Sequence, residues 1–180
     1  MTNDLLDLAR MERGAFGLKK KNDVCVDTLV RGVTGRFGPA AAEAQVTVIG
    51  PPPERGNGDP PNARLWVDPG ALERALINVV EHAVKFSPKG GRVVVSLKDK
   101  GPSLQIMVVD EGPGIPAEKI NGIWDLFGRR GSGPAGGRQG ASLGLAIARG
   151  LVAAHGGRLT VRSQEGRGTI HLPGLDLIPL

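Results

Sequence analysis

Residues 104–116 read LQIMVVDEGPGIP and are the most informative part of the sequence. The first six are largely apolar or β-branched, which is typical of a strand buried on at least one face. After Asp110 the strand breaks into a turn, where Gly112 and Gly114 can adopt backbone angles closed to other residues. A carboxylate here can accept a hydrogen bond from the exocyclic amine of a base, and the glycines remove side chains that would block its approach. An ordinary turn after a strand has the same pattern, so the surrounding sequence must decide.

The composition is that of one ordinary soluble domain. The chain has 180 residues, of which 40% are hydrophobic and 23% charged. Lys and Arg outnumber Asp and Glu by 23 to 18, but they are dispersed and no motif that reads nucleic acid accompanies them, so we expect no nucleic-acid partner. No apolar run approaches the roughly 20 residues that span a bilayer. We therefore expect a cytoplasmic chain that does not insert into a membrane, and the single Cys25 fits a reducing compartment.

The hydrophobic patterns predict a mixture of strands and helices. Residues 3–12 have helical spacing and look like the tail of a longer helix. Beyond them the predicted order is β-α-β-β-α-β-β-lid-α-β-β, with one helix from residue 27 to about residue 44 and a flexible basic lid over residues 128–140. We predict one mixed sheet with its helices packed on one face, an α+β fold.

The helix predicted over residues 69–86 has two rows of side chains. Asp68 followed by Pro69 is a strong start signal. One row is apolar and consists of Leu72, Leu76, Val79, Ala83 and Phe86. The other row, about 100° away, contains Asn78, His82 and Lys85. An amide, an imidazole and an ammonium in one row suit phosphates and a metal ion, while a solvated helix face fits the spacing equally well.

Together these segments resemble the catalytic and ATP-binding domain of sensor histidine kinases, a group related to gyrase, Hsp90 and MutL. The motifs that carry the resemblance are ALINVVEHAVKFSPKGG (75–91), VVDEGPGIP (108–116), IWDLFGRR (123–130), GASLGLAIARGLVAAHGG (140–157) and GRGTIHLP (166–173). They follow the family's order and spacing, cover nearly the whole chain, and are most similar to the KdpD-type potassium sensor kinases. The resemblance implies a two-layer α/β sandwich of the Bergerat type, a mixed sheet with helices on one face.

The resemblance also divides the chain into two parts. LLDLARMERG (5–14) is similar to the end of the second dimerisation helix that precedes the catalytic domain in these kinases. Residues 1–20 are therefore expected to be the tail of that helix and a linker. Residues 21–180 are expected to be the ATP-binding catalytic domain.

The resemblance assigns roles to individual residues. Asp110 would bind the adenine amine in a pocket shaped by Gly112, Gly114 and Ile115. Asn78 and Lys85 would face the phosphates, and Asn78 with His82 would hold Mg²⁺, with Mn²⁺ as the alternative. The lid and the helix after it would supply the remaining nucleotide-binding and catalytic residues, namely Phe127, Arg129, Arg130, Gly140, Leu143 and Gly144. An arginine of the lid would neutralise charge on the transferred phosphoryl group.

Two residues depart from the family pattern. His82 stands where the family has a second asparagine that coordinates Mg²⁺, and imidazole suits softer ions better than Mg²⁺. Ser142 stands where the family has a glycine, and its side chain can crowd the backbone near the phosphates. Because Asp110 and its glycines are intact, we expect adenine binding to survive better than catalysis.

The chain lacks the family's phosphoacceptor motif. Its three histidines are His82, His155 and His171, and none lies in a His-Glu/Asp-x-Arg-x-Pro setting. We expect His155 and His171 to be structural. The acceptor histidine would then come from a dimerisation and phosphotransfer domain on another chain or in another part of a longer kinase, with a response regulator as an indirect partner.

Three functions remain open at this point. The first is the enzyme half of a histidine kinase, which transfers the γ-phosphoryl group of ATP to that external histidine. The second is a degenerate kinase that binds nucleotide or docks a partner, as His82 and Ser142 suggest. The third is a stand-alone serine kinase of the anti-sigma-factor type, which the helix tail at residues 5–14 argues against.

Overall fold

The computed structural model describes residues 17–52, 64–99, 103–124 and 141–176. Its strands are β1 (Lys21–Cys25), β2 (Thr47–Ile49), β3 (Arg64–Val67), β4 (Arg92–Asp99), β5 (Ser103–Asp110), β6 (Arg158–Ser163) and β7 (Thr169–Asp176). Its helices are α1 (Val26–Gly35), α2 (Gly38–Ala44), α3 (Pro69–Phe86), α4 (Ala141–Ala154) and a 3-10 helix (Ala117–Trp124). The helix predicted at residues 3–12 and the lid at residues 128–140 lie outside the described residues.

The main sheet has five strands in the order β2-β4-β5-β7-β6. β2 runs parallel to β4, and the other pairs are antiparallel, so the prediction of a mixed sheet is confirmed. The prediction of a single sheet is wrong, because β1 and β3 pair with each other in a separate two-stranded sheet. Local patterns indicate a strand but not its partner, which depends on contacts between distant segments.

The core lies between the main sheet and α3 and α4. Along β5, residues alternate strictly, with Leu104, Ile106 and Val108 buried and the residues between them half-buried. The apolar row of α3 is buried as predicted, except for Phe86, which is half-buried. No helix in the described ranges is both long enough and apolar enough to cross a membrane.

The single helix predicted from residue 27 to about residue 44 is two helices. α1 ends at Gly35, and α2 begins at Gly38 with Pro39 in its first turn. Pro39 has no N–H to donate to the carbonyl four residues earlier, and its ring would clash with that carbonyl. The proline therefore ends one helix and is tolerated at the start of the next.

The start of α3 is tied to the end of α4. The Asp68 carboxylate accepts hydrogen bonds from Ala71 N–H (3.1 Å) and from Lys19 N–H (2.7 Å). The Asp68 N–H donates to His155 Nε2 (3.0 Å), and His155 Nδ1 lies 2.7 Å from the Leu151 carbonyl oxygen. His155 is therefore the neutral tautomer with its proton on Nδ1. Its role is structural, as expected from the sequence.

Replacing the helix cap tests this junction. Asp68→Ala removes the acceptor for two backbone N–H groups and should lower the free energy of unfolding by about 1 kcal/mol. Asp68→Asn keeps a side-chain oxygen and should lose much less. Urea unfolding of the three proteins measures both changes. Equal unfolding free energies for Asp68→Ala and the wild type would contradict the capping role.

Candidate functional site

A cavity of about 310 Å³ opens where β5 ends. Its walls come from the last turns of α3, the turn after β5, the 3-10 helix and the first residue of β7. The lining residues are His82, Phe86, Asp110, Pro113, Gly114, Ile115, Pro116, Ile123 and Thr169. The volume is at the lower end of the range for small-molecule sites, roughly 300–1,000 Å³. The fold thus brings together four of the residues predicted from the sequence: His82, Asp110, Gly114 and Ile115.

Asp110 is a buried carboxylate at this cavity, with 3% of its surface exposed. Burial raises its pKa, and backbone N–H groups of Gly112 and Thr169 oppose that rise by favouring the charged form. Its Oδ1 accepts a hydrogen bond from Gly112 N–H at 2.9 Å. These contacts fix the orientation of the carboxylate, so that it can accept from a donor group of a ligand in the cavity.

The two glycines of the turn are required by contacts within the protein itself. A Cβ on Gly112 would lie 2.9 Å from the Phe86 carbonyl oxygen, and one on Gly114 would overlap the Gln164 carbonyl oxygen. Gly114 also has φ +75°, in the left-handed region. The turn therefore packs tightly against the end of α3 and the turn between β6 and β7. Packing within the protein is therefore a second reason for glycine at both positions, in addition to the access for a ligand inferred from the sequence.

Thr169 is a cavity residue that sequence reasoning missed. It is 5% exposed and lies directly opposite Asp110 in the β5–β7 ladder. The sequence contained a usable signal, because Thr169 lies in the motif at residues 166–173 that resembles the family's closing strand. An antiparallel neighbour of β5 places its first residue beside the last residue of β5.

His82 faces the cavity within a group of rings. Its centroid lies 4.6 Å from that of Phe86 and 5.2 Å from that of His171, which is fully buried. Burial, with a smaller effect of Lys85, lowers the pKa of His82 to about 4. Burial, with a smaller effect of His82, lowers the pKa of His171 to about 3. Both imidazoles are therefore neutral at pH 7.

Asn78 and Lys85 do not line the cavity, although they belong to the same row of α3. Asn78 lies beside the first turn of α4, where a Cβ on Gly144 would be 3.6 Å from its Oδ1. The buried Nδ2 of Asn78 has no hydrogen-bond partner among the described residues. Leu143, the residue before Gly144, packs against the core. Asn78 and the start of α4 therefore form a second part of the site, next to the cavity.

The remaining predicted residues are Phe127, Arg129, Arg130 and Gly140, and they lie outside the described residues. Within the described ranges, no three His, Cys, Asp or Glu side chains are grouped so that they could hold a metal ion. That observation does not exclude Mg²⁺, which commonly uses one or two protein oxygen ligands together with substrate phosphates. The metal site on Asn78 and His82 stays a prediction.

Comparison with known proteins identifies the family. The family described as histidine kinase-, DNA gyrase B-, and HSP90-like ATPase matches residues 67–173. The chain belongs to this family. It is 34% identical over 178 residues to the sensor-like histidine kinase SenX3 of Mycobacterium tuberculosis H37Rv, covering 97% of this chain and 42% of SenX3. It is 33% identical over 160 residues to the sensor protein KdpD of Escherichia coli K12, covering 89% of this chain and 17% of KdpD. The chain thus spans less than half the length of these relatives, and the KdpD resemblance seen in the sequence is confirmed.

Solved structures of this ATPase family's histidine kinases have the same fold. The full-length ShkA structure in complex with AMPPNP superposes with a TM-score of 0.75 at 28% identity, over 99% of this chain and 36% of ShkA. The mycobacterial sensor histidine kinase MprB gives a TM-score of 0.66 at 26% identity, over 91% of this chain and all of that structure (100%). The catalytic domain of ThkA, at 21% identity, shares the fold with a TM-score of 0.73 and covers 89% of this chain and 97% of its own. The prediction of the histidine kinase catalytic-domain fold is confirmed.

Gly90 and Gly114 have nearly equal backbone angles but different surroundings. A comparison of their substitutions therefore separates the cost of steric contact from the cost of backbone strain. Gly90 has φ +78° with nothing within 4 Å of the position that a Cβ would occupy, whereas Gly114 has φ +75° and abuts Gln164. Gly90→Ala should cost roughly 1–2 kcal/mol for the left-handed conformation alone. Gly114→Ala should cost a further 1–3 kcal/mol, roughly, because the turn must move. Urea unfolding measures both, and equal losses would show that the turn is not closely packed.

The raised pKa of Asp110 predicts a pH-dependent difference in stability. Between its ordinary pKa of about 4 and its raised folded pKa, the folded protein binds more protons than the unfolded chain, so stability falls as pH rises. Asp110→Asn has no such charge and should be at least as stable as the wild type at pH 7. This advantage should shrink as pH falls towards 4, because the carboxyl of the folded wild type becomes protonated and loses the cost of its buried charge. Urea unfolding at both pH values tests this, and an advantage that grows on acidification would contradict it.

Proposed function

We propose that this chain is the catalytic half of a sensor histidine kinase. It binds ATP with the adenine in the cavity beside Asp110, and transfers the γ-phosphoryl group to a histidine on a separate dimerisation and phosphotransfer domain. That domain is in turn expected to pass the phosphoryl group to a response regulator. The observation that carries the proposal is the buried, backbone-oriented carboxylate at the cavity of an ATPase fold. The complex of the related ShkA with AMPPNP supports it.

The cavity has the chemistry that an adenine ring requires. The Asp110 carboxylate can accept a hydrogen bond from the exocyclic amine. Ile115, Pro116 and Ile123 provide apolar walls, and the Phe86 ring can contact the base at one side. The same cavity has room for little more than a base, so the ribose and phosphates would extend towards Asn78 and the start of α4.

The phosphates would be bound by the second part of the site. The first turn of α4 presents backbone N–H groups and the positive end of a helix dipole. Asn78 has a buried amide group beside this turn, and Lys85 adds positive charge on the same row. Arg129 and Arg130 would neutralise the transferred phosphoryl group. Mg²⁺ bound with ATP would reduce the charge repulsion on the β- and γ-phosphates, and the Asn78 amide oxygen is a hard ligand suited to it.

A second candidate function is a nucleotide-binding or docking module without phosphotransfer. The observation that favours it is the environment of His82. Its imidazole is neutral, packs against Phe86 and His171, and lines the base cavity. Imidazole in place of an amide weakens the expected Mg²⁺ site, because Mg²⁺ prefers oxygen ligands.

Binding of ADP, measured by titration calorimetry, tests the nucleotide site first. Asp110→Ala removes the acceptor of a charged hydrogen bond and should weaken ADP binding by about 10- to 100-fold. The matched control is Glu111→Ala, because Glu111 is the adjacent acid but is exposed and paired with Arg92. The control should bind ADP as the wild type does. A folded wild type, checked by circular dichroism, that releases no heat with ADP would refute the proposal.

Phosphotransfer distinguishes the two candidate functions. The chain is incubated with γ-labelled ATP, Mg²⁺ or Mn²⁺, and the histidine-bearing dimerisation domain from the same protein or an adjacent gene. Acid-labile label on that domain, lost with Asp110→Ala, supports the kinase. ADP binding without transfer under either metal supports the binding module. His82→Asn provides the further test of the metal site, since it should increase the Mg²⁺ dependence of ATP affinity, and an unchanged dependence would remove His82 from that site.

A further inference from the structure

One wall of the cavity is the 3-10 helix (Ala117–Trp124), and none of its eight residues is buried. Near its start, Lys119 N–H donates to the Pro116 carbonyl oxygen at 2.9 Å, which closes a turn within the segment itself. At its end, Ile123 and Trp124 are half-buried and pack against the core. The position of this wall therefore depends mainly on its last two residues.

Ile123 and Trp124 face different neighbours. A 3-10 helix has three residues per turn, so consecutive side chains point roughly 120° apart. Ile123 lines the cavity, whereas Trp124 does not. The Trp124 ring instead lies under the guanidinium group of Arg149 on α4, with 5.3 Å between Arg149 Cζ and the ring centroid. Since Ile123 and Trp124 are joined by one peptide bond, a contact that fixes Trp124 also limits the movement of Ile123.

Arg149 is an exposed residue of α4 and does not line the cavity. The four residues before it, 145–148, are all buried, so the helix that carries Arg149 is firmly packed in the core. A guanidinium group within about 6 Å of an indole ring is attracted by the negative face of that ring, and tryptophan is the strongest aromatic partner. Arg149 therefore joins a firmly packed helix to a wall that has no buried residue.

We infer that Arg149 is a positioning residue for nucleotide binding: it holds Trp124 against α4 and thereby keeps Ile123 in place at the wall of the cavity. The inference rests on the proposed function, since it takes the base of a nucleotide to be the ligand of this cavity. Ile123 is one of the apolar residues that would contact the base. A wall that is fixed before the ligand arrives loses less conformational entropy on binding, so Arg149 raises the affinity without touching the ligand.

A direct contact between Arg149 and phosphate is the competing explanation, because the first turn of α4 is proposed to face the phosphates. The two explanations differ in the part of the nucleotide that they affect. A wall that contacts the base acts equally on adenosine and on ADP, whereas a cation that contacts phosphate acts on ADP alone. Arg149 lies eight residues after Ala141, the first residue of α4, which is roughly 12 Å along the helix axis. This separation favours the contact with Trp124.

Titration calorimetry with ADP, and with adenosine in competition with ADP, tests the inference. Arg149→Ala should weaken the binding of both ligands by the same factor, about two- to fivefold, as expected for one exposed cation–π contact. Arg149→Lys keeps a cation near the ring and should recover part of the loss. Trp124→Leu keeps an apolar side chain and should cause a similar loss, to which adding Arg149→Ala should contribute little more. The matched control, Arg158→Ala, removes an exposed arginine from β6 and should bind both ligands as the wild type does.

Fluorescence of Trp124 reports the ring contact without a ligand. The chain has two tryptophans, so Trp66→Phe leaves Trp124 as the single indole. Adding Arg149→Ala uncovers one face of the Trp124 ring, so its emission should shift to longer wavelength and its quenching by acrylamide should increase. Arg158→Ala in the same background should leave both unchanged. Circular dichroism checks that each variant remains folded, so that a general loss of structure is not mistaken for loss of the contact.

The inference is overturned if Arg149→Ala leaves the affinity for both ligands unchanged, or if it weakens the binding of ADP but not of adenosine. The proposed function stands in both cases, because the wild type still binds ADP. Unchanged emission and quenching of Trp124 in Arg149→Ala would also overturn the inference, since the ring contact would then be absent in solution. A wild type that binds no ADP overturns the proposed function and the inference together.

Discussion

The antiparallel pairing of β5 with β7 is the constraint on which the site depends. It places Thr169 opposite Asp110, and the Gly168 backbone so close to the Asp110 carbonyl that no side chain fits at Gly168, where φ is +85°. The Asp110 carboxylate is buried at the edge of the cavity. Burial raises its pKa, and the backbone N–H groups of Gly112 and Thr169 keep the charged form accessible. The buried Asp110 carboxylate lowers the free energy of unfolding, and its fixed orientation suits it to contact a ligand.

Sequence patterns predicted the elements that have a strong local signature. The start of α3 at Asp68-Pro69 and the buried alternation of β5 are both present in the structure. The separate pairing of β1 with β3 was not predictable from local patterns, because strand partners are chosen by contacts between residues far apart in sequence. The break between α1 and α2 could have been predicted, because Pro39 cannot continue a helix. The apolar spacing on both sides of Pro39 suggested one helix instead.

The sequence predicted some residues of the site and missed others, because local patterns do not determine contacts between distant segments. Asp110, Gly114 and Ile115 belong to one short motif, so the chain itself keeps them together at the cavity. Thr169 reaches the cavity only through strand pairing. The sequence correctly placed Asn78, His82 and Lys85 in one row on α3. Which neighbour each member contacts was not encoded in its spacing, because α3 packs on the sheet at one side and on α4 at another.

His82 connects the two parts of the site. Of the three polar residues in its row on α3, only His82 lines the cavity, while Asn78 lies beside Gly144 at the start of α4. An asparagine at position 82 would be shorter and could not make the ring contacts with Phe86 and His171. The imidazole therefore adds ring packing at the wall of the cavity. Because His171 is fully buried against it, substitution of either ring alters the packing around the other, and a change at the cavity wall is transmitted to the core beneath β7.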